Sequence, residues 1–206
     1  MIRPPVSGGI SFSEAADGDV RGEADSHRRL SLECQVSDEW ATLRQMHGAV
    51  VHRVERAGCA GEGDALWTTR ADVPVVVFTA DCFGVILQAK NAVGVAHAGW
   101  RGVVAGVVTK LKQEMTNEGH LPLLAAIGAG IGPCCFEVGE EVAAAFPGNT
   151  AVTTWGTVSV NLRSAIDDQL DGIETWTAEN CTLHDPGWFS HRRDETRSRL
   201  AAIGWI

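Results

Sequence analysis

The stretch Thr79–Gly102, TADCFGVILQAKNAVGVAHAGWRG, carries the reading of both fold and chemistry. Two runs rich in β-branched and aliphatic residues, GVILQA and AVGVAHA, flank Lys90-Asn91 and ask for a β-hairpin. With Lys90 and Asn91 as the two turn residues, Gly84 pairs with His97, and Cys82 falls just beyond it. A thiol and an imidazole then share the open end of one hairpin. Gly99-Trp100-Arg101-Gly102 follows at once and leads into Val103, Val104, Val107, Val108, Leu111 and Met115, the spacing of one helix face, with Gly119 placed to stop it. The first free N–H groups of that helix, with Arg101 beside them, are expected to form an anion site.

Outward from this segment, GISF, WATLRQM, AVVHRV, ALWTT, PVVVFTA, LLAAIGAGIG, IETWTA and the terminal LAAIGWI read as further short strands bounded by Gly, Asp, Asn or Pro. A brief helix after Ser26, another within Glu137 to Phe146, a Gly-interrupted hairpin over Val152 to Val160 and a helix capped by Asn161 complete the pattern. Strands in runs with a few dispersed helices predict an α+β fold: a single layered domain over residues 1–206, with a mixed or antiparallel sheet and a few packed helices. Residues 1–8 read as loose. The 206 residues suffice for a well-buried core, and no internal repeat or low-complexity linker divides them.

Composition narrows the function. With 17 Lys+Arg against 26 Asp+Glu the net charge is −9, which argues against nonspecific nucleic-acid binding while leaving room for a local cationic pocket. There is no Tyr, so no mechanism can use a phenolic acid or radical. No apolar run is long enough to span a bilayer, and the N-terminus offers no signal-peptide core, so a cytoplasmic protein is expected. There the six Cys are thiols or metal ligands rather than disulfides.

Taken singly, Cys82 reads as a small core residue and His97 as a strand-end histidine. Together with Asp81 and Arg101 in an apolar setting they point to a site. His47, in another strand-to-Gly turn (QMHGAVV), is the natural third ligand: His47, Cys82 and His97 make a His2Cys set with one open position, as catalytic Zn requires. Asp81 is placed either to orient a ligand imidazole or to carry a proton. The competing chemistry is a cysteine hydrolase or amidase, with Cys82 activated by His97. A noncatalytic role, the triplet holding metal for structure alone, is the third reading. Cys134-Cys135 reads as packing, because adjacent cysteines chelate one metal poorly, and WFSHRRDETRSR offers Arg192 or Arg193 as a phosphate or substrate contact.

At QMHGAVV, TADC, HAGWRG, GIGPCCFEVG and FSHRRD, in this order, the sequence resembles the laccase-domain or multicopper polyphenol oxidase family, from about Arg28 to the C-terminus. Members of that family are read as zinc-containing purine nucleoside phosphorylases. The resemblance implies one Zn per chain on His47, Cys82 and His97, with Cu binding in vitro open. It also implies a purine nucleoside (adenosine, inosine or methylthioadenosine) and inorganic phosphate as substrates, with adenosine deamination as a side activity. Catalytic roles fall to Asp81 and Arg101, substrate contacts to Arg28, Gln45, Arg101 and Arg192. No nucleic acid or membrane partner is expected, and a homodimer is left open. Copper phenol oxidation is disfavoured, since a multicopper cluster needs H-x-H pairs and more than seven histidines. The chain departs from the family at Met46 (usually Val), at Gly128-Ala129-Gly130 (usually with a Pro), at His191 (usually aromatic), and at Ser26-His27, where the family has Asn-Arg.

Overall fold

The computed structural model describes residues 1–5 and 9–206. Its strands, in chain order, are β1 (Gly9–Phe12), β2 (Ala41–Arg44), β3 (Val51–Arg53), β4 (Gly58–Glu62), β5 (Ala65–Thr68), β6 (Val75–Thr79), β7 (Phe83–Ala89), β8 (Ala92–Ala98), β9 (Leu124–Ile127), β10 (Thr150–Val152), β11 (Val158–Val160), β12 (Glu174–Thr177) and β13 (Leu200–Trp205). The α-helices are α1 (Ala24–Cys34), α2 (Trp100–Val104), α3 (Val107–Asn117), α4 (Glu140–Ala144), α5 (Leu162–Gln169) and α6 (His191–Asp194). This is the α+β architecture expected.

Two large sheets stack. One has the order β1-β13-β6-β2-β4, the other β12-β9-β7-β8-β5-β3, and both are mixed, while β10 and β11 form a separate ribbon. Strand alternation shows how the layers are built. Val75 and Val77 face the inter-sheet core with Ile86, Val93 and Val95, whereas Val76 between them packs outward on Leu30 and Cys34 of α1. Val85 and Leu87 of β7 point the other way, onto Val107, Val108, Leu111 and Met115 of α3. Both faces of β6, β7 and β8 are therefore covered, which is why these strands read as nearly unbroken apolar runs. The sheets approach most closely at glycines. A Cβ on Gly84 would lie 2.5 Å from the Ala202 Cβ, and one on Gly204 2.6 Å from a Val93 methyl.

The β7–β8 hairpin has the expected register, with Ala89 opposite Ala92 across the Lys90-Asn91 turn and Gly84 opposite His97. The expected helix over Val103 to Met115 is instead two helices. Gly106 adopts φ 75° and breaks the chain between α2 and α3. The Gln169 side chain serves the backbone groups freed there: its Nε2 donates to the Val103 carbonyl at 2.7 Å, and its Oε1 accepts from the Thr109 N–H at 3.2 Å. The helix following His97 is thus five residues long. Its dipole therefore offers less to an anion than the long helix expected from the sequence. At the N-terminus, expected to be loose, Ile2 bridges to Phe12 and the terminal amine pairs with Glu14 and Asp17. Residues 6–8 of that expectation lie outside the described part. Among the described residues no helix is long and apolar enough to cross a membrane.

Candidate functional site

The open end of the β7–β8 hairpin is the base of the site. Cys82 precedes β7, His97 is in β8, and the chain closes tightly over them at Gly99, where a Cβ would sit 2.9 Å from the Cys82 sulfur and 3.1 Å from the His47 ring. Only glycine fits there. One ligand atom each from His47, Cys82 and His97 lies within 4.8 Å of the others, and the two imidazoles meet edge to face at 4.8 Å between centroids. Sequence and fold thus bring the same three residues together. They suit a metal ion: two imidazoles and a thiol converge from a buried, an intermediate and an exposed position, so the group is held from below and open from above.

What organises the triplet is Asp64, which sequence reasoning missed. It is fully buried immediately before β5. Its Oδ1 accepts from His97 Nδ1 and from the His47 backbone N–H, both at 2.9 Å, and its Oδ2 accepts from the N–H groups of Gly48 at 2.6 Å and Met46 at 3.2 Å. A carboxylate can only accept, so Nδ1 of His97 carries the hydrogen and Nε2 is left for a ligand role. The same carboxylate clamps the turn that presents His47, a non-glycine residue at φ 60°. The orienting role considered for Asp81 therefore belongs to Asp64. The available signal was an acidic residue directly before an apolar strand, GDALW, where an unpaired charge would be costly.

Electrostatically, burial alone would raise the Cys82 thiol, but the charge of His97 and hydrogen bonds from His47 and His97 override it and bring it down to about 6. For His97, burial works against the charged form and is outweighed by Cys82 and by the Asp64 hydrogen bond, which hold the imidazole up at about 9. In metal-free protein, alkylation of Cys82 by iodoacetamide should accordingly follow a midpoint near 6, well below the ordinary thiol value of about 8.5. Added metal should protect it. A midpoint in the ordinary range would show that the thiol and imidazole do not interact.

Above the triplet opens a cavity of about 440 Å³. Its walls combine Phe78, Trp100, Ile131, Phe136 and Leu162 with four guanidinium-bearing residues, Arg21, Arg101, Arg192 and Arg199. Despite a net charge of −9, the chain thus concentrates cations here. Asp81 is the acidic residue of the lining, and its oxygens are engaged: Oδ1 accepts from the Thr182 hydroxyl and Oδ2 from the Arg192 N–H, both at 2.7 Å. It holds residues 182 and 192 against the hairpin end, and it does so at φ 88°.

Of the substrate contacts expected from the sequence, Arg101, Arg192 and Gln45 line the cavity. The Gln45 amide is committed to the backbone of Phe78, donating to its carbonyl at 2.8 Å and accepting from its N–H at 2.9 Å. Arg28 does not reach it: the side chain is 65% exposed on α1, 4.0 Å from Asp38. Arg193 is spent within the C-terminal loop, on the carbonyls of Thr182 and Trp188 and on Asp194. Arg21 and Arg199 were not singled out in the sequence. Each comes from an irregular segment, where no periodicity says which way a side chain faces.

Comparison with known proteins agrees over nearly the whole chain. It is 34% identical over 216 residues to "Purine nucleoside phosphorylase ORF3" of Streptomyces griseus, covering 98% of this chain and 86% of that protein. It is 33% identical over 210 residues to a purine nucleoside phosphorylase of Deinococcus radiodurans, covering 95% and 82%. The crystal structure of YlmD from Geobacillus stearothermophilus superposes with a TM-score of 0.86 at 28% identity, covering 98% of this chain and 94% of that one. With residues 13–206 matching its model, the chain belongs to the family described as multi-copper polyphenol oxidoreductase laccase.

Proposed function

We propose that the protein is a zinc-dependent purine nucleoside phosphorylase acting on adenosine, inosine and methylthioadenosine. The observation that carries this reading is the cavity, in which a His2Cys group forms the base and arginines and aromatic rings form the walls. Relatives at 33–34% identity that bear the name purine nucleoside phosphorylase support it. Zinc held by His47, Cys82 and His97 would supply Lewis-acid polarisation of a substrate atom. The donor set favours zinc over a multicopper cluster, because among the described residues the other metal-capable group contains no imidazole.

In phosphorolysis an oxygen of inorganic phosphate forms a bond to the anomeric carbon while the bond to the purine nitrogen breaks. The purine leaves with the electron pair and takes up a proton. The chain must therefore hold a dianion, place it in line and seat a flat base. Arg101 is the residue we assign to phosphate. Arg192, positioned by Asp81, adds a further charge, and Trp100, Phe136 and Phe78 are the aromatic rings of the lining, against which a purine can seat beside the guanidiniums of Arg101, Arg192 and Arg21 that lie over them.

The thiolate–imidazolium pair supports one rival, a cysteine amidase built on Cys82 and His97. Purified protein incubated with adenosine or inosine should release free base and ribose 1-phosphate only when phosphate is supplied, and should carry about one Zn per chain. Ammonia from adenosine would mark deamination in the same pocket. Amide hydrolysis indifferent to phosphate, with no nucleoside cleaved, would replace our reading with the amidase.

A further inference from the structure

A second cluster of chemistry-bearing groups gathers on the segment between the cavity-lining residues Ile131 and Phe136. Cys134 and Cys135, adjacent in sequence, are joined by Cys181 from far along the chain, and the three sulfurs lie within 4.8 Å of one another. The gathering is built by backbone. Residues 132–136 form a tight turn in which the N–H groups of Cys135 and Phe136 both bond to the Gly132 carbonyl. Gly130 bridges to Cys181 in parallel register, and Thr182 N–H donates to the Gly130 carbonyl at 3.1 Å. Thr154 fixes the Cys134 carbonyl through both its N–H and its hydroxyl. Gly132 leaves room for the sulfurs: a Cβ there would meet the Cys134 sulfur at 3.3 Å and the Cys181 sulfur at 3.5 Å.

The sulfurs are also chemically unequal. The N–H of Gly132 donates to the Cys181 sulfur at 3.1 Å. Burial works against ionisation of Cys181, but the N–H groups of Gly132 and His184, with help from Cys134 and Leu183, more than offset it, so this thiol is held below its ordinary value. Cys135 is 3% exposed, while Cys134 and Cys181 are half-buried. A preorganised acceptor sulfur thus stands beside two further thiols, with a route to solvent.

We propose that Cys134, Cys135 and Cys181 form a second metal site, a three-sulfur pocket for a soft monovalent cation of the Cu(I) class. Sulfur donors select soft ions. The coordination number selects further: a closed structural zinc site needs four ligands, and this group offers three, with no His, Asp or Glu joining it among the described residues. Coordination exchanges the thiol protons for the cation and releases them to solvent, with no electron transferred. Adjacent cysteines alone would chelate poorly. It is the third sulfur, supplied by the fold, that completes the set. The site is separate from the His2Cys group, and it touches the cavity through neighbours, since Ile131 N–H donates to the Asp81 carbonyl and the Thr182 hydroxyl to the Asp81 carboxylate.

The test uses the full chain with His47→Ala and Cys82→Ala, which leaves His97 as the single donor of the first site, titrated anaerobically with Cu(I) against a chromogenic chelator. It should retain about one Cu(I) per chain, and adding Cys181→Ser or Cys134→Ser should abolish retention, whereas Cys59→Ser, on an exposed strand, should not. Because these variants can misfold, the unsubstituted chain gives a second reading. Cu(I) should block alkylation of Cys134 and Cys181, mapped by peptide mass, while Cys59 labels as before. No retained Cu(I) in a double variant that still unfolds cooperatively, or unchanged labelling of Cys134 and Cys181 in the unsubstituted chain, would overturn the proposal.

Discussion

Asp64→Ala should cost about 3–5 kcal/mol of stability, the range for removing one partner from a buried ion pair, and should strip the protein of its metal. The change leaves the N–H groups of Met46, His47 and Gly48 without acceptors and His97 Nδ1 without its partner, all from one carboxylate. Asp64→Asn separates the two effects. It keeps the volume, but its amide nitrogen faces donors, so the His47 turn and the His97 ring lose their register. A loss of about 10–100-fold in metal affinity is expected, the usual effect of removing a group that orients a ligand. The pH dependence follows in sign. Burial alone would raise the Asp64 carboxyl, and the hydrogen bonds from His97, Gly48 and Met46 outweigh it, so its folded-state value lies below the ordinary one. Its stabilising contribution is then complete above the unfolded value of about 3.9 and is lost as pH falls through the folded one. Denaturant titrations across the acid range should show the parent protein losing stability there and Asp64→Asn responding less. Equal metal content and equal acid response in parent and Asn variant would remove Asp64 from its positioning role.

The same carboxylate shows where sequence reading stops. The hairpin was legible because it is local: two strand-like runs and a two-residue turn set Gly84 opposite His97, which leaves Cys82 beside His97 at the open end of the ladder. Val75 to Val77 were legible as a strand, though not as one covered on both faces, since that depends on which layers stack. Asp64 could not be paired with His97 in advance, because the contact spans β5 and β8, neighbours only once the six-stranded sheet exists. The long helix expected after Gly102 was a fair reading of apolar spacing. It was undone by Gly106, whose left-handed conformation is stabilised by Gln169 more than sixty residues later. Cys181 joins Cys134 and Cys135 by the same kind of long-range closure, and Arg21 and Arg199 reach the cavity from segments with no period to read.

Among the cavity's arginines, Arg101 is the one whose loss should most affect catalysis. Two of the others are partly spent: Arg192 donates to the Glu137 carbonyl at 3.1 Å, and Arg199 donates to the carbonyls of Thr196 and Ser198. Arg21 stands with its guanidinium 5.8 Å from the Phe78 ring centroid. Arg101 has its guanidinium 4.3 Å from the Trp100 ring centroid, a stacking that orients the plane while leaving its N–H edges to a ligand. Among the described residues no carboxylate pairs with it, in a chain where acids outnumber bases. It also follows the hairpin end by only three residues, so it is anchored to the element that carries His97 and Cys82. Arg101→Ala should therefore lower kcat/KM for phosphate by about 10²–10³, as loss of one preorganised charge-stabilising donor does, with metal content unchanged. Arg101→Lys should recover only part of this, because an ammonium keeps the charge and loses the two-pronged geometry. Steady-state kinetics with phosphate as the varied substrate decide it: an alanine variant with unaltered phosphate kinetics would place the anion on another of the cavity's arginines instead.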